Sequence, residues 1–471
     1  MNATASTTSK PRLPRSICMG WGLGTLGPVT VLTASNVLLL RYLTDHVGIA
    51  AALASSLIAF SKILDAFLDP AMGWVSDRTK SRLGRRRPYL LAGGVLLALS
   101  VIGLFSVPDI GDYGLRATYV GAVLVFYAFA YTVFNIPYLS MPAEMTTDYH
   151  ERSYLMSFRV YAVGLSTIAA SVLGPMLLAK LGGGASAYAT MALVFAPLVV
   201  FSAWICFHFT RNAPFTAKET HVLYPVGEQI RSVASNQPFL ILIVIKFLTL
   251  MSLGVQSVYA FFFTYVLNLS DTYLGQYFLA SSLAMIFSQP LWLRVARWTG
   301  SKRNTYIIAL VTSLPAFLSW LLAAPGEPAI FIYLRAIVVG ASGGGAILMG
   351  QSLLPDTMEY DFRRTGMRRE GIFAGFYTTV EKLSGAIGIS VVGAILGYAG
   401  YVQSMGKAMV QPESAIHAIY LIMGCLPAFI SFLGIVALLF YTLTEDKLKA
   451  TTLLRPAPAP EADEFPILQN I

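Results

Sequence analysis

The sequence predicts an all-α membrane protein with about twelve transmembrane helices in two six-helix halves. Of its 471 residues, 56% are hydrophobic and 12% are charged, whereas about 25% of the residues of an ordinary soluble domain are charged. Uncharged stretches such as 247–269 and 418–441 are long enough to cross a hydrocarbon core about 30 Å thick. This composition excludes a soluble globular protein.

Charged, proline-containing and glycine-containing segments separate the predicted spans. Apolar runs begin near residues 17, 47, 89, 117, 154, 187, 239, 273, 304, 329, 373 and 415. Of the 33 lysines and arginines, 24 lie in the N-terminal tail, in the loops after even-numbered spans and in the C-terminal tail. Because positive charge collects on the cytoplasmic side, we expect a multi-pass protein of the cell inner membrane with both termini in the cytoplasm.

The longest polar interval between spans divides the chain into two halves. We expect an N-terminal six-helix half at residues 1–210, a cytoplasmic middle loop at 211–238, a C-terminal six-helix half at 239–444 and a cytoplasmic tail at 445–471. Asp69-Pro70 at the end of the second span is matched about 220 residues later by Gln289-Pro290 in the eighth. Such repeats are typical of transporters, whose binding sites lie between the repeats.

Other classes of function find little support in the composition. The net charge of +9 does not indicate a nucleic-acid partner, because the basic residues form short clusters between apolar stretches. Cys18, Cys206 and Cys425 lack the spacing of a zinc site or a disulfide framework, and the five histidines are scattered. We therefore expect no enzyme, no metal site and no cofactor, and a protein that works as a monomer among membrane lipids.

The second span carries the strongest chemical signal. Asp65 and Asp69 stand four residues apart on one side of a helix, and Lys62 lies one turn before Asp65. Ionisable groups at membrane depth usually mark ion or substrate paths, and two close carboxylates can coordinate a small cation or share a proton. We interpret Asp65 and Asp69 as cation-coupling residues. In the alternative, Lys62 and Asp65 form a neutralising pair and Asp69 caps a loop.

A short basic loop follows the second span. Asp77, Arg78 and Gly84 stand in it at spacings that suggest a tight turn held by charge-assisted hydrogen bonds between helix ends. We interpret these three residues as a conformational latch. The alternative is that the loop serves only as a signal for membrane orientation.

These motifs together resemble the signature of the glycoside-pentoside-hexuronide:cation symporters, a family of the major facilitator superfamily. The resemblance runs along most of the chain, through Asp65-x-x-x-Asp69-Pro70-x-x-Gly73, Ser76-Asp77-Arg78-Thr79, Asn135-Ile-Pro137-Tyr138, Asp356-x-x-x-Tyr360-Asp361 and Lys382-Leu383. It implies twelve helices in two six-helix halves that work by alternating access. It also implies cation coupling at Asp65 and Asp69.

The resemblance further implies a substrate site that includes Asn135, Arg159 and Lys382. The family pattern has an aspartate where this chain has Asn135, which can bind sugar hydroxyls but supplies no negative charge. A proton is therefore favoured over sodium as the coupling ion. Lys382 either pairs with an acid of the second span or binds an anionic substrate. Arg159 suits hydroxyl pairs or a carboxylate, with a structural anchor as the alternative.

Two further sets of ionisable residues lie in or near the spans. Glu381 beside Lys382 is either a possible protonation site or a counter-charge for a basic neighbour. Arg41, Lys246 and Arg335 are expected near span ends, with their charged groups at the membrane interface.

The sequence therefore predicts a secondary active transporter that carries a sugar, glycoside or uronide in symport with H⁺ or Na⁺. The alternative is a transporter of a lysolipid-like amphiphile, which would need an apolar opening toward the membrane.

Overall fold

The chain folds as a bundle of membrane-spanning helices. A computed structural model describes residues 13–146, 149–213, 234–365, 370–403 and 410–451, and every regular element in these ranges is helical. Eleven helices there are long and apolar enough to cross a membrane, and a bent pair of helices forms a twelfth span. The predicted all-α architecture with about twelve transmembrane helices is confirmed.

The helices of the first half begin within five residues of the predicted starts. They are α1 (Arg15–Leu39, followed by a wide turn at Tyr42–His46), α2 (Ala51–Arg78), α3 (Arg87–Phe105), α4 (Tyr113–Met145), α5 (Tyr149–Ile168, continued by Ala169–Leu173 and Gly174–Lys180) and α6 (Ala185–Thr210).

The helices of the second half also begin within five residues of the predicted starts. They are α7 (Gln237–Val266), α8 (Asp271–Phe287 with Gln289–Thr299), α9 (Lys302–Leu322), α10 (Ala329–Thr365), α11 (Glu370–Tyr398) and α12 (Glu413–Leu439), and the short helix α13 (Glu445–Ala450) follows.

The eighth span bends by 44° where its two segments meet at Ser288. Pro290 explains the bend, because proline has no amide hydrogen and its ring clashes with the carbonyl group of Ile286 one turn earlier. The Gln289-Pro290 motif that marks the repeat in the sequence is therefore the point at which α8 breaks.

The ends of α1 and α7 have the same unusual backbone. The amide of Val47 donates to the carbonyl oxygen five residues earlier at 3.1 Å, and the amide of Leu267 does the same at 3.0 Å. The next residue has a positive φ in both helices, 76° at Gly48 and 54° at Asn268. The two sites lie 220 residues apart, which supports the proposed internal repeat.

The two halves meet along several helix pairs, which include α2 against α11, α5 against α8 and α1 against α7. Glycines allow the first two approaches. A Cβ atom at Gly393 of α11 would overlap the Ser55 side chain of α2 and lie 2.9 Å from the Ala51 carbonyl oxygen. A Cβ atom at Gly275 of α8 would lie 3.0 Å from the carbonyl oxygen of Val172 in α5. The site residues of α2 and α11 therefore face each other across a narrow interface.

Candidate functional site

The two predicted coupling carboxylates lie together in the middle of the bundle. The hydroxyl group of Thr132 in α4 is 3.3 Å from Oδ1 of Asp65 and 3.1 Å from Oδ1 of Asp69, so it can donate its proton to either. Thr132 is buried, and the sequence analysis did not single it out. Its position one turn before Asn135 on the same helix is the signal that points to it.

Asp69 forms an ion pair with Lys382 that joins the two halves. The Nζ atom of Lys382 in α11 contacts Oδ2 of Asp69 in α2, and the two side chains are 28% and 20% exposed. Lys382 thus pairs with an acid of the second span, which was one of its two expected partners. A small cation at this place would find oxygen atoms of Asp65, Asp69 and Thr132, but the Lys382 ammonium group already occupies one of them.

Lys62 does not neutralise Asp65 directly. Its ammonium group donates to Oδ1 of Asn36 in α1 at 2.9 Å, and it makes no ion pair with Asp65 in this structure. The two groups still lie within electrostatic reach of each other, so the alternative in which Lys62 helps to neutralise Asp65 stays open.

Glu381 pairs with a lysine of another helix and not with its neighbour Lys382. Its Oε2 atom lies 3.1 Å from Nζ of Lys246 in α7, and Nζ of Lys246 also lies 4.0 Å from the centre of the Tyr377 ring. The Glu381 side chain is 52% exposed. The expectation that Lys246 reaches the membrane interface is wrong, because its side chain lies well inside the bundle between α7 and α11.

Of the predicted substrate residues, Arg159 and Lys382 lie near the two carboxylates, and Asn135 stands one turn after Thr132 in α4. Tyr131 of α4 is within electrostatic reach of Asp65, Arg159 and Glu381, so groups from α2, α5 and α11 surround it. Arg159 and Asn135 are half-buried. The Nε atom of Arg159 is buried and has no hydrogen-bond partner among the described residues. Arg159 therefore retains at least one donor for a ligand.

The predicted latch lies where α2 ends. Arg78 is exposed and stacks on Trp74 of its own helix, with its guanidinium carbon 3.9 Å from the ring centre. Gly84 has a φ of +90°, which favours glycine in this turn. The side chain of Asp77 lies outside the described residues. The role of these residues as a latch stays a prediction.

A second polar cluster joins the halves at the end of the bundle opposite the termini. Nη1 of Arg41 lies 2.5 Å from Oδ1 of Asp271, and Asp45 accepts hydrogen bonds from Tyr265 at 2.9 Å and Tyr401 at 2.6 Å. We call these five residues the far-end cluster. They bind the end of α1 to α7, α8 and the segment after α11, and so close this end of the bundle.

Two arginines that were expected near span ends are buried in the protein. Arg41 lies beyond the end of the first span, as expected, but it is only 9% exposed because it is paired with Asp271. Arg335 is likewise buried, where it pairs with Glu327 and donates to the hydroxyl oxygen of Ser319 at 3.0 Å. Buried guanidinium groups of this kind require partners, because an unpaired charge in an apolar interior is costly.

Known proteins of similar sequence are transporters. An uncharacterized symporter of Synechocystis sp. is 27% identical over 93% of this chain and 96% of its own length. The isoprimeverose transporter of Lactiplantibacillus pentosus is 27% identical over 95% of this chain and 92% of its own. A glucuronide carrier protein homolog of Escherichia coli is 27% identical over 92% of this chain and 93% of its own length.

Solved structures and a family model agree with these relatives. The fold superposes with a TM-score of 0.67 on the crystal structure of a bacterial homolog of the human lysosomal transporter Spinster, over 96% of this chain and 100% of that one, at 14% identity. The family model described as MFS/sugar transport protein matches residues 20–445. The chain therefore belongs to the MFS/sugar transport family, which confirms its resemblance to the glycoside-pentoside-hexuronide:cation symporters.

Proposed function

We propose that this protein carries a sugar, glycoside or uronide across the membrane together with a cation, by alternating access, and that the cation is a proton. The names of its relatives, which include symporters, an isoprimeverose transporter and a glucuronide carrier homolog, support a sugar-like substrate and cation coupling. The observation that carries the proposal is the ion pair between Asp69 and Lys382, with Asp65 and Thr132 beside it, at the interface of the two halves.

In the proposed mechanism, Lys382 serves as an internal counter-ion for Asp69. When a proton neutralises the carboxylate of Asp65 or Asp69, the electrostatic attraction that holds Lys382 to α2 weakens. The ammonium group is then available to the substrate, which binds best when the proton is present. A ligand shifts a conformational equilibrium only through its different affinity for the two states, so proton and substrate would each favour binding of the other.

Asn135 and Arg159 are the proposed substrate contacts. The amide group of Asn135 offers both donors and acceptors, as sugar hydroxyls require. The guanidinium group of Arg159 offers several donors in a fixed plane, and its buried Nε lacks a partner among the described residues. Such a group is suited to a pair of hydroxyls or to the carboxylate of a uronide.

A proton suits this site better than a sodium ion. A proton needs one oxygen atom, whereas a metal cation needs several oxygen ligands arranged around it. The Lys382 ammonium group already contacts Asp69, and Asn135 brings no negative charge. In this proposal Glu381 acts as the counter-charge of Lys246, because the two are 3.1 Å apart.

The remaining features of the proposal concern the whole molecule. The chain would lie in the cell inner membrane with both termini in the cytoplasm, work as a monomer and catalyse no chemical reaction. The halves at residues 1–210 and 239–444 would rock against each other, with Asp77, Arg78 and Gly84 as a latch on the cytoplasmic side.

The test is a transport assay with purified protein in sodium-free proteoliposomes that contain a pH-sensitive dye. A panel of neutral sugars, glycosides and uronides is added outside, and we expect one class to cause proton entry. Entry of sugar only after sodium is added would contradict proton coupling. Silence across the panel, with transport of a lysolipid, would favour the amphiphile alternative.

A further inference from the structure

A narrow pocket lies next to Asp65, on the side away from Asp69. It is enclosed by α1, α2 and α4, and it has room for about two water molecules. Because α2 runs from the far end toward the termini, the pocket lies between Asp65 and the far-end cluster. It adjoins the central space, with which it shares Asp65 and Tyr131, on the side toward the far-end cluster.

Polar side chains are concentrated around this pocket, although most of the wall surface is apolar. Its lining includes seven side chains that can donate or accept hydrogen bonds: Ser35, Asn36, Ser61, Lys62, Asp65, Tyr127 and Tyr131. Leucine and isoleucine side chains complete the wall. Polar groups in a membrane protein are costly unless they are satisfied, so such a concentration of them in one pocket needs an occupant that forms hydrogen bonds.

Two of these groups lack protein partners of good geometry. The hydroxyl groups of Ser35 and Tyr127 are buried and lie within reach of each other, but neither forms a hydrogen bond of good geometry among the described residues. Most buried polar atoms in proteins bond to protein or to ordered water. A small reorientation of either hydroxyl toward the pocket would bring it to a water molecule there.

The charge in the pocket favours water over a metal cation. The ammonium group of Lys62 donates one hydrogen bond, to Asn36 at 2.9 Å, and keeps two further donors. These donors can bind water oxygen, whereas the positive charge repels a second cation. Water and hydroxyl groups can pass a proton along without carrying a metal ion. The pocket therefore has the properties of a proton path.

We propose that this pocket holds a short water chain through which protons reach and leave Asp65, with the hydroxyl groups of Ser35 and Tyr127 as members of the chain. The inference rests on the proposed proton coupling and assigns the first protonation to Asp65, because Asp69 is held by Lys382. In each step an oxygen atom accepts one proton and releases another. The chain ends unchanged, and the Asp65 carboxylate becomes a neutral carboxylic acid.

The surroundings of Asp65 agree with this assignment. The groups that face it are Lys62 and Asp69 of its own helix, Tyr127, Tyr131 and Thr132 of α4, and Lys382 of α11. The pocket lies on the side of Asp65 that faces the far-end cluster, whereas Thr132 and Lys382 contact the site on the side of Asp69. When the residues of the far-end cluster move apart, the pocket would be the part of the site nearest to the membrane side opposite the termini.

The experiment follows the protonation of Asp65 without any substrate. Purified full-length protein is acidified suddenly, and infrared difference spectroscopy records the carboxylic acid band that is absent in the Asp65→Asn variant. In the double variant Ser35→Ala with Tyr127→Phe, we expect the band to appear at least about tenfold more slowly, with unchanged final size. The matched control is Tyr119→Phe, which removes a tyrosine hydroxyl from α4 outside the pocket.

Three results would overturn the proposal. These are a wild-type rate in the double variant, an equal slowing in Tyr119→Phe, and the lack of any Asp65-dependent band in the wild-type protein. If the double variant fails to fold, Ser35→Ala alone is measured in the same way. The infrared experiment contains no sugar, so it tests the proton path independently of the substrate. If the Asp65 band appears more slowly in the double variant but no compound of the transport panel causes proton entry, the proposed substrate is contradicted and the proton path is supported.

Discussion

The carboxylate of Asp45 in α1 accepts a 2.9 Å hydrogen bond from the hydroxyl group of Tyr265 in α7, and these residues stand 220 positions apart. The same offset of 220 residues relates the wide turn at the end of α1 to the one at the end of α7. It also relates Gly48 to Asn268, the residues of positive φ that follow these turns. Asp45 and Tyr265 therefore occupy equivalent positions in the two repeats. Equivalent residues that touch lie close to the axis that relates the repeats.

Electrostatic interactions keep the hydrogen bonds of the far-end cluster in place. Burial, and then the neighbouring Asp45 carboxylate, raise the pKa of Tyr401, which lies beyond the end of α11. The Tyr401 hydroxyl thus keeps its proton and remains a donor to Asp45 at neutral pH. Since the cluster joins α1 to three segments of the other half, it must separate before the central site can open at this end.

Removal of one partner of the Arg41–Asp271 pair should open the far end. Loss of one member of a buried ion pair costs about 3–5 kcal/mol, because the other charge stays buried without a partner. Ser55 is buried beside Gly393 at the interface of α2 and α11. In Arg41→Ala, a cysteine placed at Ser55 should react with a maleimide at least about tenfold faster than in the parent protein.

The conservative variant Arg41→Lys is the control for this prediction. It should keep slow labelling, because it retains a positive charge beside Asp271 and Asp45, whose Oδ2 lies 3.7 Å from Nε of Arg41. Equal labelling rates in the parent, Arg41→Ala and Arg41→Lys would show that the cluster does not hold the far end closed.

Gly393→Ala should prevent the far end from closing fully. The added methyl group would overlap the Ser55 side chain and lie 2.9 Å from the backbone carbonyl oxygen of Ala51, so α2 and α11 must move apart. We expect sugar transport to fall about tenfold or more, since overpacking typically costs 1–3 kcal/mol. The matched control is Gly343→Ala in α10, where a methyl group meets nothing within 4 Å. Equal loss of transport in both variants would contradict this explanation.

Asp69→Asn should destabilise the protein more than removal of the whole ion pair does. The substitution leaves the Lys382 ammonium group with Asp65 as its remaining counter-charge, and loss of one member of a buried ion pair costs at most about 3–5 kcal/mol. Addition of Lys382→Met should recover most of the lost thermal stability and none of the coupled transport. The measurement is the unfolding temperature of each purified variant in detergent. An additive loss in the double variant would show that the two side chains do not act as a pair.

Thr132 should matter through its hydroxyl group. Thr132→Val keeps the shape of the side chain but removes the donor that Asp65 and Asp69 share, so we expect the acid dependence of sugar uptake to shift. A hydrogen bond to a charged group contributes about 1.5–3 kcal/mol, which corresponds to a shift of about 1–2 pH units. Since an ionised carboxylate accepts this hydrogen bond, its loss should move the dependence toward higher pH.

Thr132→Ser is the matched control, because it retains the hydroxyl and should keep the wild-type profile. A profile that is unchanged in Thr132→Val, measured as the rate of sugar uptake against external pH, would remove Thr132 from the coupling site.

The membrane architecture follows from the sequence because lipid imposes it directly. A span must be apolar for its whole length, so the start of every helix could be placed within five residues from hydropathy alone. The Asp65, Asp69 and Lys382 group could also be predicted, because ionisable residues are rare in spans and usually face the interior.

The pairing between helices could not be predicted in the same way. Lys246 and Glu381 lie on different helices, and their contact depends on how α7 and α11 pack and rotate against each other. Arg41 stands near a span end, where a charge ordinarily reaches the interface, and only the folded bundle brings Asp271 to it. Thr132 is a common residue type in helices, and its function depends on a neighbour 63 residues away.

We propose that Asp65 and Asp69 couple the movement of a cation to that of a sugar. The most direct measurement compares two assays of one substrate in proteoliposomes, uptake against a gradient and exchange between equal concentrations on both sides. Asp65→Asn should abolish proton-driven accumulation and retain exchange, since exchange needs no change of protonation. Accumulation at the wild-type level in both Asp65→Asn and Asp69→Asn would contradict a coupling role for these two residues.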